Sequence, residues 1–332
     1  MPTLFSPLNF AGLTLRNRVA MPPMWSGKAT PEGFVTPAIV EYHRVRAAAG
    51  TGLIIVEHSF VDPQGRHSST QLGVHDDACV TGLASLAAAI RAEGAVACLQ
   101  ISHAGSRAST RVTGRPVVAP SPVVTAREAQ ADVPGELTRE EIARVVDAFA
   151  AAAARARAAG FQAVEIHAAH GFLLSQFLSP LTNHRTDEYG GDHARRGRLH
   201  LEVLEAVRGR AGADFPVFVR LGMHDERPGG LTLAPACLTA SQLVAAGAAL
   251  IDVSGGLAGS DDPGRGPGYF VGYAEALKEV VTVPVLVAGG IGDPRLADLI
   301  VRSRRADVVG VGRAMLDDPD WTRAAAATLG QA

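Results

Sequence analysis

Two histidines three residues apart, His167 and His170, follow the apolar run 163–166 (AVEI). Imidazoles placed where a buried strand stops and a loop begins stand where parallel α/β proteins keep their chemistry. The pair does not read as a zinc site, because a metal wants a third ligand and usually a carboxylate. Two neutral imidazole N–H groups converging on one carbonyl or oxyanion would instead form an electrophilic clamp. The plainer alternative is that one of the two only supports the local structure.

Other chemically able residues also cluster where apolar runs end. They are Pro22, Pro23, Met24 and Trp25; Glu57, His58 and Ser59; Gln100 and His103; Arg220 and His224; Asp252 and Ser254; Gly289 and Gly290; and Gly312 and Arg313. The motifs AGGI (288–291) and GVGR (310–313) are glycine turns after the last two runs. Exposed backbone N–H groups in such turns can cradle a phosphate, and Arg313 could add a bidentate grip. Their other reading is tight turns and nothing more. Gln100 offers both a donor and an acceptor to a pyrimidine-like edge. Arg220 is a fixed cation able to stabilise negative charge on a reduced ring. Its alternative is an ion pair inside the barrel with Glu57 or Asp252.

These groups need a scaffold that brings strand ends together. Strand-like runs occupy 18–21, 52–57, 96–101, 163–166, 217–221, 250–253, 285–288 and 308–311. Helical patterns occupy 37–49, 76–93, 138–159, 192–210, 234–246, 273–280, 294–303 and 319–329. Thr138 with Glu141 spells a capping box, and Gly94, Gly160, Gly212 and Gly247 are placed as helix stops. Eight strand–helix repeats are the count of a (β/α)8 TIM barrel. A doubly wound sheet would open with a Gly-rich turn, whereas here the first turn is MPPMW. The segments leaving three strands are long, at 102–137, 168–191 and 254–272, which puts them together at the C-terminal mouth. Residues 111–122, with three prolines, predict a capping excursion over that mouth after strand three. No linker is visible, so residues 1–332 read as one domain.

The bulk numbers agree with a globular α/β chain and remove several function classes. The 332 residues are 47% hydrophobic with a net charge of -2, and Lys+Arg (31) balance Asp+Glu (33). No basic stripe points to nucleic acid. No apolar run approaches the ~18 residues of a membrane span, and the start MPTLFSPLNFAG lacks a secretory pattern. Cys79, Cys98 and Cys237 are too few and too scattered for a disulfide or metal framework. The expected compartment is the cytoplasm, and the expected partner is a small molecule.

Longer motifs carry a resemblance. EIHAAHGFLLSQFLSPLTNHRTDEYGG, LFSPLNFAGLTLRNRVAMPPM, LIIVEHSFVDPQGR, LQISHAG and ADVVGVGRAMLDDP together resemble the old yellow enzyme family, from about Leu4 to Trp321. The shape is similar to the short, single-domain bacterial subgroup, since the cysteine cluster and further domain of the iron–sulfur branch are not seen. The resemblance implies FMN on a (β/α)8 barrel, with NADPH or NADH as hydride donor. It implies that Pro22, Pro23, Met24 and Trp25 pass beside the flavin, that Gln100 binds its pyrimidine edge and that Arg220 takes the N1/O2 side. Gly289, Gly290, Gly312 and Arg313 would hold the phosphate. His167 and His170 would bind the carbonyl of an electron-poor alkene, which is reduced by ping-pong hydride transfer through flavin N5. A homo-oligomer, dimer or tetramer, is a further implication of the family.

Four departures from the family pattern bear on function. Phe172 stands where a Tyr often donates the α-carbon proton, and Trp25 where a Thr or Cys touches the flavin. Ser26, Gly27 and Lys28 supply no Tyr after that position, and His58 replaces a small residue. His58 is therefore a candidate catalytic proton donor, or else a histidine bonded into the barrel rim. Tyr269 and Tyr273 are rival donors or substrate clamps, and Phe172 with Tyr269 would line the substrate site. The alternatives to plain enone reduction are an FMN-dependent dehydrogenase working oxidatively on a carbonyl compound or amine, and a non-redox barrel holding a phosphorylated ligand.

Overall fold

The computed structural model describes residues 1–124, 132–259 and 265–331. Eight strands close into a barrel: β1 Val19–Met21, β2 Leu53–Phe60, β3 Val96–Ser102, β4 Ala163–Ala168, β5 Val217–Gly222, β6 Leu250–Ser254, β7 Val285–Val287 and β8 Val308–Gly310. Every neighbouring pair is parallel, and β8 returns to β1 through Val309 opposite Val19. The outer ring holds α1 Pro37–Ala48, α2 Cys79–Ala92, α3 Arg139–Ala158, α4 His193–Ala211, α5 Leu233–Ala245, α6 Val271–Lys278, α7 Pro294–Arg302 and α8 Trp321–Thr328. This is the (β/α)8 TIM barrel expected from the alternation of apolar runs.

Strand periodicity divides the core into two layers, because successive side chains point to opposite faces. Residues such as Val19, Ile54, Ala97, Val164 and Val219 face outward and pack with the helices. The alternate set, Ala20, Leu53, Ile55, Val96, Cys98, Ala163, Phe218, Leu250, Leu286 and Val308, faces inward as a separate buried cluster. Leu13 and Leu15 join that inner cluster from an N-terminal hairpin, Leu8–Phe10 with Leu13–Leu15, and Phe10 meets Phe218 at 5.8 Å. The hairpin closes the bottom of the barrel. Its three-residue strands are too short for an apolar period to register, so the sequence did not disclose it.

Local signals ended the helices where expected. Thr138 and Glu141 form a reciprocal capping box on α3. Gly94, Gly160, Gly212 and Gly247 take positive φ (77°, 83°, 100° and 101°) after their helices, a region open to glycine at little steric cost. The segment after β4 contains a short buried helix, Leu173–Leu178. The excursion after β3 pairs Val118–Ala119 with Gly135–Glu136, and Arg185 fixes it to the loop after β4 by donating to the Pro120 and Leu137 carbonyls. Among the described residues no helix is long and apolar enough to cross a membrane.

Candidate active site

The inner face that is apolar at the bottom of the barrel becomes polar at the top with no break in parity. Ile55 is followed inward by Glu57, Cys98 by Gln100, Ala163 by Glu165 and His167, Phe218 by Arg220, and Leu250 by Asp252 and Ser254. Register then sets the neighbours: Gln100 lies opposite Glu165, and Arg220 opposite both His167 and Asp252. Above this layer two adjoining cavities of about 230 and 370 Å3 share Met24 and Arg220 in their walls.

The smaller cavity holds the glycine turns. Pro22, Met24, Arg220, Gly289, Gly290, Gly312 and Arg313 line it. Gly289 and Gly290 have φ of +119° and +68°, and a Cβ on Gly312 would lie 2.9 Å from the Met24 sulfur. The turns therefore bring bare backbone to the cavity wall, the arrangement a phosphate cradle requires. Tyr269 also lies here, with its ring against Gly289 and Gly290. Tyr269, expected as a proton donor or substrate clamp on the loop after β6, thus lines the smaller cavity, which adjoins the one that holds the histidines. Tyr273 donates to Glu226 and stacks with His224 on the outer side of that loop, so neither Tyr273 nor His224 reaches the histidine pair.

Between the cavities, Gln100 Nε2 donates to Glu165 Oε1 at 2.7 Å. Arg220 Nε stands 3.1 Å from Asp252 Oδ2, so the ion pair weighed from the sequence exists, with Asp252 as partner. Glu57 takes no part in it and accepts from the Ser26 N–H at 2.8 Å. Arg220 pairs and lines both cavities at once. Burial, reinforced by the neighbouring Asp252 charge, holds Glu165 well above the ordinary carboxylate range; burial raises Asp252 to about 6 against the pull of Arg220. The 3.1 Å contact is a charge contact without hydrogen-bond alignment: Arg220 Nε, both Asp252 oxygens and Glu165 Oε2 are buried with no hydrogen-bond partner. A layer of buried polar atoms left unpaired beneath a cavity is costly unless a polar group completes it.

The larger cavity is lined by Pro23, Trp25, His58, His67, Gln100, Arg107, His167, His170 and Phe172, among others. The rings of His167 and His170 lie 4.9 Å apart at 68°. His170 adopts φ +58°, an uncommon conformation for a residue with a side chain. It is held there by its N–H donating to the Gly255 carbonyl at 3.0 Å and by Nε2 at 2.6 Å from Ser254 Oγ. His167 Nδ1 is buried without a partner. Burial first, then His170 and Arg220, hold the His167 imidazole well below its ordinary pKa; burial, then His67 and Arg220, push His58 down to about 3. Burial thus favours the neutral form of both rings. Phe172 packs 4.6 Å from His167 and 5.4 Å from His58.

Not every strand-end residue reaches the cavities. His103 is buried against Gly65 and accepts from the Gly105 N–H, a structural position. Conversely His67 and Arg107, which the sequence reading passed over, are in the wall. Behind the wall, buried Gln71 bonds both the His58 ring and the His67 backbone. Their one sequence signal was proximity to the strand-two and strand-three motifs, inside QGRHSSTQ and SHAGSR. Among the described residues no group of three or more His, Cys, Asp or Glu side chains is placed to hold a metal.

A donor–acceptor amide, a fixed cation, bare glycine turns and unpaired buried polar atoms around one double cavity fit FMN. Comparison with known proteins agrees. The model of the NADH:flavin oxidoreductase / NADH oxidase family matches residues 3–331. A "Metal reductase" of Desulforamulus reducens is 42% identical over 325 residues, covering 96% of this chain and 48% of that protein. An "NADPH dehydrogenase" of Bacillus subtilis (strain 168) is 38% identical over 327 residues, covering 98% and 95%. The chain thus spans about half the length of the first relative and nearly all of the second. An old yellow enzyme homologue from Zymomonas mobilis superposes with a TM-score of 0.84 at 30% identity, covering 97% of this chain and 92% of that one. With fold, cavity and sequence in agreement, the chain belongs to the FMN-binding NADH:flavin oxidoreductase / NADH oxidase family, the barrels of old yellow enzyme type.

Proposed function

We propose that this chain reduces the C=C bond of a small α,β-unsaturated carbonyl compound at the expense of NADPH or NADH. The observation that carries the reading is the pair of neutral imidazoles, His167 and His170, 4.9 Å apart in a cavity that adjoins the glycine turns. FMN, when bound, supplies a two-electron carrier that takes a hydride from the nucleotide and passes it to the substrate β-carbon in separate half-reactions. Gln100 and Arg220 would hold its pyrimidine edge, Gly289, Gly290, Gly312 and Arg313 would hold its phosphate, and Pro22 to Trp25 would lie beside its ring.

His167 and His170 bind the substrate carbonyl oxygen. Neutral imidazole N–H groups suit this task, because they stabilise the negative charge developing on oxygen without surrendering their protons. Ser254 and the Gly255 carbonyl fix His170 so that little reorganisation is needed. Phe172 fills the wall beside them and donates nothing. Among the described residues lining this compartment there is no Tyr, Asp, Glu, Lys or Cys. In this reading the α-carbon proton comes from water entering at the mouth, where Trp25 is 52% exposed.

A second reading, oxidation of a saturated carbonyl compound, runs the same step in reverse and needs a base to take the α-carbon proton, so the missing side chain bears equally on both directions. The deciding assay uses the flavin-loaded enzyme under anaerobic conditions with NADPH or NADH and 2-cyclohexen-1-one. Cyclohexanone detected by gas chromatography, with matching nucleotide consumption, is the expected result. Enzyme whose flavin is bleached by nucleotide yet yields no cyclohexanone overturns the reductase reading.

A further inference from the structure

We propose that Gln71 is a positioning residue that fixes His58 with its Nε2–H facing the substrate compartment, so that the site selects electron-poor alkenes bearing a second acceptor oxygen besides the carbonyl held by His167 and His170. The inference rests on the reading of those two histidines as the carbonyl site. It begins with an amide whose orientation leaves no choice. Gln71 is fully buried, and its Oε1 lies 2.6 Å from the His67 backbone N–H, which can only donate. Its Nε2 lies 2.9 Å from the His58 carbonyl, which can only accept. Two backbone groups thus assign oxygen and nitrogen without reference to any side chain.

The same Nε2 stands 2.8 Å from His58 Nδ1. An amide N–H meeting a ring nitrogen requires a lone pair there, so Nδ1 accepts and the neutral ring carries its proton on Nε2. Nδ1 faces the buried amide, and the opposite edge of the ring, with Nε2, is the one offered to the cavity that His58 lines. The neighbours agree with a neutral ring. His67 at 6.2 Å gives its own Nδ1–H to the Arg107 carbonyl, and Arg107 and Arg220 line the same compartment. The His58 ring lies 6.4 Å from His167 at 25°, and both line the same cavity, so a third N–H donor stands near the carbonyl pair. A substrate with one carbonyl leaves that donor idle, whereas a dicarbonyl or cyclic imide uses it.

The test uses the oxidised, flavin-loaded enzyme labelled with 15N-histidine, so that no turnover is needed. In the wild type the His58 signals should report a bare Nδ1 and a protonated Nε2; a proton on Nδ1 overturns the proposal before any variant is made. Gln71→Glu presents an acceptor to Nδ1, so the proton should move there and the cavity edge should lose its donor. Binding of succinimide and of cyclopentanone, read from flavin absorbance, should then diverge: succinimide weakens roughly tenfold, the worth of one neutral hydrogen bond, and cyclopentanone changes little. Equal loss of both ligands, or of neither, overturns the selection. Gln71→Leu, which removes the tether without offering an acceptor, should weaken succinimide in the same selective way. Turnover of maleimide and 2-cyclopentenone separates this from the parent reading. If neither is reduced, the reductase reading fails while the spectra and the two binding constants still decide the role of Gln71.

Discussion

Replacing Glu57 by Gln should make the protein more stable at pH 8 and leave it unchanged near pH 4.5. Glu57 is fully buried at the top of β2, where one oxygen accepts from the Ser26 N–H and the other has no partner. Burial raises its pKa from 4.5 to about 7, against the lowering effect of the Ser26 hydrogen bonds. The folded chain therefore keeps a proton that the unfolded chain releases between those values. The stability linked to that proton is fully present below pH 4.5 and is lost as pH rises through about 7. The shift corresponds to about 3 kcal/mol. Gln keeps the acceptor for Ser26 and carries no charge, so it should recover up to that amount at pH 8. Denaturant unfolding of both proteins from pH 4.5 to 8, at unchanged slope, reads the difference directly. A wild-type minus variant difference that does not vary with pH would refute the buried-carboxyl argument. The consequence is functional as well, because this contact ties down the loop that brings Trp25 to the cavity.

Three further outcomes follow from other parts of the molecule. His43 and His200 are buried and neutral, each pushed down to about 4, so stability present above pH 6.5 is lost as pH falls toward 4. In His200→Leu that acid loss should shrink, a trend opposite in sign to that of Glu57→Gln and measurable in the same titration. Gly289→Ala should weaken FMN retention by roughly tenfold or more, since φ +119° costs a side chain about 1–3 kcal/mol; fluorescence titration of the apoprotein with FMN checks it, and an unchanged dissociation constant counts against the cradle. Ser254→Ala removes the 2.6 Å contact that steadies His170 and should lower kcat/KM for 2-cyclohexen-1-one about tenfold, while a rate equal to wild type would mean that the φ of His170 alone holds the ring.

The barrel was legible because its strands are buried on both sides and its helices carry their own start and stop signals. Strands such as 163–166 could be read as apolar runs, and the capping box at Thr138 is a local instruction that the fold obeys. The hairpin Leu8–Phe10 with Leu13–Leu15 and the helix Leu173–Leu178 were hidden because three or six residues carry no readable period. Strand ends named most of the cavity wall, since the side-chain period of two carries inward parity past the apolar layer to His167, Gln100 and Arg220. Loops obey no such rule. Tyr269 turned toward the glycine turns, and Gln71, His67 and Arg107 came back to the site by tertiary folding that a single chain of letters does not encode locally. The neutrality of His58 was equally out of reach, because desolvation depends on what surrounds a ring and not on its neighbours in sequence.

The central claim is that His167 and His170 act on the substrate carbonyl. Stopped-flow measurement of the oxidative half-reaction tests it most directly: enzyme pre-reduced with one equivalent of NADPH, mixed with 2-cyclohexen-1-one, in wild type and His167→Ala. The reoxidation rate constant should fall roughly 10²–10³-fold in the variant, the worth of one donor to a developing oxyanion. A rate constant equal to that of the wild type would contradict the account.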